Sequence, residues 1–305
     1  MGKRVFVRII IIPLFMFLGC GQVPEFSGGK AYEYLLEQCK MGPRFPGAPG
    51  HEKLKGFLVD FLKPRADSII IQDFTAKIKA DGTDLELTNV IALFRGRSEK
   101  SLLIGAHWDT RPRAECHPEA GKRGYPIIGA NDGASGVAIL LHLAELLDKK
   151  MPLKTVYLVF FDGEDWGYQG STEDFCLGSK YFANKLPVPK PNEAIVIDMV
   201  GDKILSIPIE RFSYEFAPEM VKKIWNIARK RGYRQFEYRL GSYIYDDHVP
   251  LYRIAGISSI DIIDFEYPDR FHNYWHTLYD TPDKCSPKSL EVVGQVLLDY
   301  IFQEN

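Results

Sequence analysis

The chain has 305 residues, 46% apolar and 26% charged, the profile of an ordinary globular protein and neither a fibrous nor a disordered one. A net charge of −2 and a pI near 6.4 leave no basic footprint for nucleic acid. Partners therefore have to be inferred from a site and not from bulk charge.

Lys3, Arg4 and Arg8 precede an apolar run from Ile9 to Leu18. That run is about half the roughly 20 apolar residues a membrane-crossing helix needs, so it reads as the core of an export signal. Phe17-Leu18-Gly19-Cys20 resembles a bacterial lipobox. The expectation is a lipoprotein signal peptide over 1–19, a lipidated Cys20, a tether over 20–28 and one domain over 29–305. The protein would be exported and held at a membrane only through its lipid. Cys39, Cys116, Cys176 and Cys285 then remain, and their spacing leaves both disulfides and buried thiols open.

Beyond the tether, helical patterns over 30–40 and 50–63 lead into strands at 68–75, 87–94 and 101–106. A helix over 133–148 carries Val137, Leu140, Leu141, Ala144 and Leu147 on one stripe. Strand 155–161 (TVYLVFF) is apolar almost throughout, as a strand buried on both faces must be. Strand 194–199, helix 215–231, strand 257–263 and helix 287–303 complete the series. Alternation of this kind predicts a three-layer α/β/α fold with a central mixed, mostly parallel twisted sheet.

The polar residues of interest follow the strands. His107 and Asp109 follow 101–106, Glu164 and Asp165 follow 155–161, and Asp198 lies at the end of 194–199. Ligands of open α/β sheets sit beyond the carboxyl ends of the strands, so these groups converge on one edge. Taken singly, each has a plain structural explanation. His107 can be a loop histidine held by a carboxylate, and Asp132 in GANDGASG (129–136) can cap the helix that follows it. Adjacent carboxylates at Glu164-Asp165 behind a buried strand, however, need a cation or a proton to offset their repulsion. YDDHVP (245–250) adds Asp246, Asp247 and His248, and YWHT (274–277) adds Trp275 and His276. Asp, Asp and His donors with an acid beside them match a catalytic zinc site with one open position.

The order and spacing of these segments resemble the zinc aminopeptidase superfamily, and within it the zinc-dependent glutaminyl-peptide cyclotransferases (glutaminyl cyclases). The resemblance runs over roughly 30–303 and is most specific in FFDGED (160–165), YDDHVPLYRIAG (245–256) and YWHT. It implies a zinc-exopeptidase-like fold and a single Zn²⁺ held by Asp132, Asp165 and His276. Glu164 would be the proton shuttle, with Asp198 and Asp246 in a hydrogen-bond network beside it, and Trp275 and Trp166 would line the substrate pocket. The substrates would be peptide or protein N-termini, with glutamine closed to pyroglutamate and ammonia released. The chain departs from the animal enzymes at Asp165, where they usually carry Glu, and at Ala106, where they tend to carry Cys. Two other readings stay open: a two-zinc aminopeptidase, with His107 and Asp198 as additional ligands and Asp132 bridging, and a non-catalytic binding module.

Overall fold

The computed structural model describes residues 23–168 and 170–303. The expected signal peptide and Cys20 lie outside the described residues. Among those described, no helix is long and apolar enough to cross a membrane.

Helices α1 (Gly28–Lys40) and α2 (Pro49–Leu62) precede strands β1 (Ser68–Lys77), β2 (Asp84–Phe94) and β3 (Ser101–His107). Then come α3 (Ala134–Lys149), β4 (Thr155–Phe161), α4 (Leu177–Asn184) and β5 (Glu193–Asp198). The second half carries β6 (Ile207–Ile209), α5 (Arg211–Phe216), α6 (Pro218–Arg231), β7 (Phe236–Leu240), α7 (His248–Arg253), β8 (Ser258–Ile263) and α8 (Pro287–Phe302). The six-stranded main sheet runs β1-β2-β4-β3-β5-β8. Its β1/β2 and β2/β4 pairs are antiparallel, while β4/β3, β3/β5 and β5/β8 are parallel. All six main strands and the mixed sheet agree with the sequence expectation.

Side chains alternate strictly across the sheet. Leu102, Ile104, Val156, Leu158, Ile195, Ile197, Ile260 and Ile262 face one core with α1, α3, α6 and α8. Leu103, Tyr157, Val159, Ala194 and Val196 face the other, which Phe182 of α4 and Leu251 of α7 close. A period of two with both phases apolar requires helices on both faces, hence three layers.

Three features differ from the expectation, and the state of three cysteines that it left open is resolved. The tether does not extend to residue 28: Phe26 is buried in the main core, its N–H donates to Gln295 Oε1, and Ser27 caps α1. The expected helix 215–231 is two helices, because Pro218 has no N–H to donate into the preceding turn and starts a new helix as its first residue. The parallel pair β6/β7 and the short helices α4 and α7 gave too brief a pattern to be read. Finally, Cys39, Cys176 and Cys285 carry no disulfide.

Candidate active site

Four parallel strands end on the same edge, and the chemistry is gathered there. His107 is the last residue of β3, Asp198 the last of β5, and Glu164 and Asp165 follow β4 after a turn at Gly163. Asp132 sits two residues before α3, and Asp246 leads into α7. His276 comes from the loop between β8 and α8. A cavity of 260 Å³ opens among Asp132, Glu164, Asp165, Asp198, Asp246, Trp275 and His276, walled by Phe175, Tyr243, Ile244, Tyr245, Ile263 and Phe265.

Asp132, Asp165 and His276 meet as the sequence predicts. His276 Nε2 lies 3.1 Å from Asp165 Oδ1 and 3.7 Å from Asp132 Oδ2, and one ligand atom from each residue fits within 4.8 Å of the others. Asp132 Oδ2 and Asp165 Oδ2 are buried without a hydrogen-bond partner, which is costly unless a cation fills the gap. Two carboxylates and an imidazole are zinc donors, so the residues fit the metal.

A second trio shares Asp132. His107 Nε2 is 3.1 Å from Asp198 Oδ1 and 3.2 Å from Asp132 Oδ1. Here the ring nitrogen already serves the two carboxylates, and His107 stands behind the cavity, outside its lining.

Charge crowding shifts the acids. Burial and the neighbouring Asp165 push Asp132 up to about 7. Burial would raise Asp165 too, but the His276 and Arg111 cations outweigh it and hold this carboxyl well below its usual range. Glu164 is pushed well above its usual range by burial and by Asp165, and Asp246 up to about 6 by burial and by Asp198. Raised acids around a cation-ready pair are what acid/base chemistry near neutral pH calls for.

The supporting groups were largely hidden in the sequence. Asp109, paired there only with His107, accepts the backbone N–H groups of Glu164 at 3.1 Å and Asp165 at 3.2 Å and so fixes the acidic pair. Asp132 is not a helix cap, since Gly133 holds that position. Instead, Asp132 is oriented by Asp280, which accepts the N–H groups of Asn131 and Asp132 at 2.8 and 3.1 Å. Arg111 is fully buried, 2.9 Å from Asp165 Oδ1, and its Nε is 2.7 Å from Glu115 Oε1. Glu115 in turn contacts His276 Nδ1 at 3.1 Å. The sequence signal for Arg111 and Glu115 is that they follow the H-x-D segment (107–109) and stand four residues apart.

Trp275 lines the cavity, stacked on His276 at a ring separation of 3.6 Å. Trp166 does not. Its indole packs against the cluster of Phe74, Ile78, Leu85, Leu87 and Leu177, outside the cavity lining, where apolar neighbours cover it. Among the described residues three non-glycines adopt left-handed backbone, Cys176 (φ 53°), Met199 (φ 46°) and His276 (φ 54°): Cys176 contacts Glu164, Met199 packs in a cluster with Trp275, and His276 lines the cavity.

Residues 89–301 match the family model described as peptidase family M28. The glutaminyl cyclase of Bacteroides thetaiotaomicron is similar at 36% identity and a TM-score of 0.89, over 93% of this chain and 100% of that one. A structure described as a leucine aminopeptidase precursor from the same organism matches at 36% identity, TM-score 0.88, over 93% and 99%. The glutaminyl-peptide cyclotransferase of Bos taurus is 22% identical over 85% of this chain and 78% of its own length. With the matched segment spanning most of the sheet and every residue that lines the metal trio, the chain belongs to peptidase family M28.

Proposed function

We propose that the protein is a glutaminyl-peptide cyclotransferase, closing the N-terminal glutamine of peptides or proteins to pyroglutamate with release of ammonia, and that it works with one zinc at Asp132, Asp165 and His276. The observation that carries the single-metal reading is the contrast between the two trios. Beside His276 one oxygen of each carboxylate, Asp132 Oδ2 and Asp165 Oδ2, has no hydrogen-bond partner, whereas in the other trio His107 Nε2 contacts Asp198 Oδ1 at 3.1 Å and Asp132 Oδ1 at 3.2 Å and stands outside the cavity lining.

Bound at the first trio, zinc supplies Lewis-acid polarisation of the substrate's side-chain amide. The residues of the chain do the rest. Trp275 with Phe265 and Ile263 gives an apolar wall for the aliphatic part of glutamine. Glu164 takes the proton of the peptide's α-amine as its nitrogen attacks the amide carbon. The new C–N bond closes a five-membered lactam, the old amide C–N bond breaks, and Glu164 returns the proton to the leaving ammonia. No water enters the reaction, so holding the amine near the amide accounts for much of the rate. Burial, Asp165 and Asp246 raise the affinity of the Glu164 carboxylate for a proton, so that it can take one from the amine and hold it until ammonia leaves.

Mass spectrometry on a glutamine-initiated peptide tests the assignment: the product is lighter by one ammonia, and the purified protein holds one zinc per chain. A two-zinc aminopeptidase is the second reading, favoured by the shared Asp132. Release of free N-terminal residues with two zincs per chain would replace the first reading with it. Export as a lipid-anchored protein is part of the proposal, resting on residues 1–20. Cys20→Ala should move the protein from the membrane fraction to the soluble one.

A further inference from the structure

Behind the cavity wall lies a buried set of polar groups whose hydrogen bonds do not close. Asp261 sits in the middle of β8, on the face covered by α5 and α7, and is wholly buried. Neither of its carboxyl oxygens has a hydrogen-bond partner. The groups that surround it have been assigned by their own bonds. Glu210 accepts from the N–H groups of Phe212, Ser213 and Ile244 at 2.6–3.0 Å and from the Ser213 hydroxyl at 2.7 Å, so it is a fully satisfied anion. With the ring proton on Nε2, 3.1 Å from Glu210 Oε2, His248 presents Nδ1 as an acceptor. That Nδ1 faces Asp261 Oδ2 at 3.9 Å. Asp246 completes the group, with one atom from each of Asp246, His248 and Asp261 within 4.8 Å of the others. It accepts the N–H of Asp247 at 2.5 Å.

In that tautomer the side-chain atoms of Asp246 and His248 that face the Asp261 carboxyl are acceptors. A buried carboxyl among acceptors can be satisfied only by supplying the hydrogen itself. We propose that Asp261 is a positioning residue, a neutral carboxylic acid that donates to Asp246 and through it fixes Glu164, from which Asp246 is separated by no more than the same 4.8 Å. Burial and the charge of Asp246 both raise the Asp261 carboxyl well above its usual range, in the direction this requires. A fully buried Asp in the middle of an Ile-rich strand is otherwise costly with no return in packing. The role rests on the cyclase reading only in that Glu164 moves the proton.

Two substitutions on the full chain test it. Asp261→Asn keeps a donor of the same shape and should leave kcat within about threefold of wild type. Asp261→Leu keeps the volume without a donor and should lower kcat roughly 10- to 100-fold with KM nearly unchanged, the usual cost of losing a group that orients another. Both variants should hold the wild-type complement of zinc. Should the Leu variant fail to fold, Asp261→Ala removes the donor without bulk and is read in the same way. Equal activity of the Asn and Leu variants would reduce Asp261 to a packing residue and overturn the role. An Asn variant as impaired as the Leu variant, with one metal equivalent lost, would show that Asp246, His248 and Asp261 bind a cation instead. Crystal structures of the variants decide the matter apart from turnover: Asp246 stays in place with Asn and shifts with Leu. A wild-type protein that makes no pyroglutamate would count against the cyclase reading while leaving that comparison intact.

Discussion

Glu115 Oε1 lies 3.1 Å from His276 Nδ1, on the side of the imidazole opposite the carboxylates of Asp132 and Asp165. Burial opposes its ionisation, but His276 and Arg111 hold Glu115 down to about 2, so it is an anion at any working pH. An anion on Nδ1 fixes the tautomer that leaves Nε2 free for a metal. Glu115→Ala should therefore weaken zinc binding roughly 10- to 100-fold while the fold survives. Competition with a chelating dye measures the change, and an unaltered zinc affinity would remove Glu115 from the site.

Glu164→Gln keeps the shape and the hydrogen bond from Cys176 Sγ, 3.3 Å from Oε1 in the wild type, but cannot carry the proton. Ammonia release should fall by at least ~10²-fold with zinc content unchanged. Survival of activity in this variant would assign the proton to another group.

The two tryptophans separate binding from stability. Trp275→Ala opens the cavity wall and should raise KM severalfold for glutamine-initiated peptides. Trp166→Ala leaves the cavity alone but strips the cluster around Phe74 and Leu87, so KM should hold while the melting temperature drops. Steady-state kinetics and calorimetry on the pair give the comparison.

Asp264 gives a stability prediction away from the metal. Burial, with a smaller push from Asp202, raises it from 3.8 to about 8, although it accepts the N–H of Ser206 at 2.8 Å. The folded state therefore binds this proton more tightly than the unfolded chain. The stabilisation is full below pH 3.8 and is lost as pH rises through about 8. Asp264→Asn should flatten the fall in melting temperature between roughly pH 5 and 9, read from thermal scans across that range.

The sequence discloses the sheet because its strands are long apolar runs whose two phases are both buried, and it discloses Asp132, Asp165 and His276 because each lies in a short segment of unusual composition. Trp166 illustrates the limit of such reasoning. It adjoins Asp165 in the chain, but adjacency does not specify which side of a loop a side chain takes. Arg111 and Glu115 look like any charged loop until burial shows that they clasp Asp165 and His276. Asp261 is concealed for the opposite reason, as a single acidic letter within SSIDII that gives no hint of the groups folded against it.

Met199, Cys176 and His276 each hold a backbone conformation that costs an L-residue about 1–2 kcal/mol, so the fold carries a few kcal/mol of local tension around its reaction centre. The three are not equivalent to an engineer. His276 is needed for its ring, and Cys176 touches Glu164, but Met199 follows Asp198 and packs against Ile263 and Tyr267. A glycine there would relieve the twist at the expense of that packing. Any gain in stability from that change is therefore the backbone strain relieved at Met199 less the packing lost against Ile263 and Tyr267.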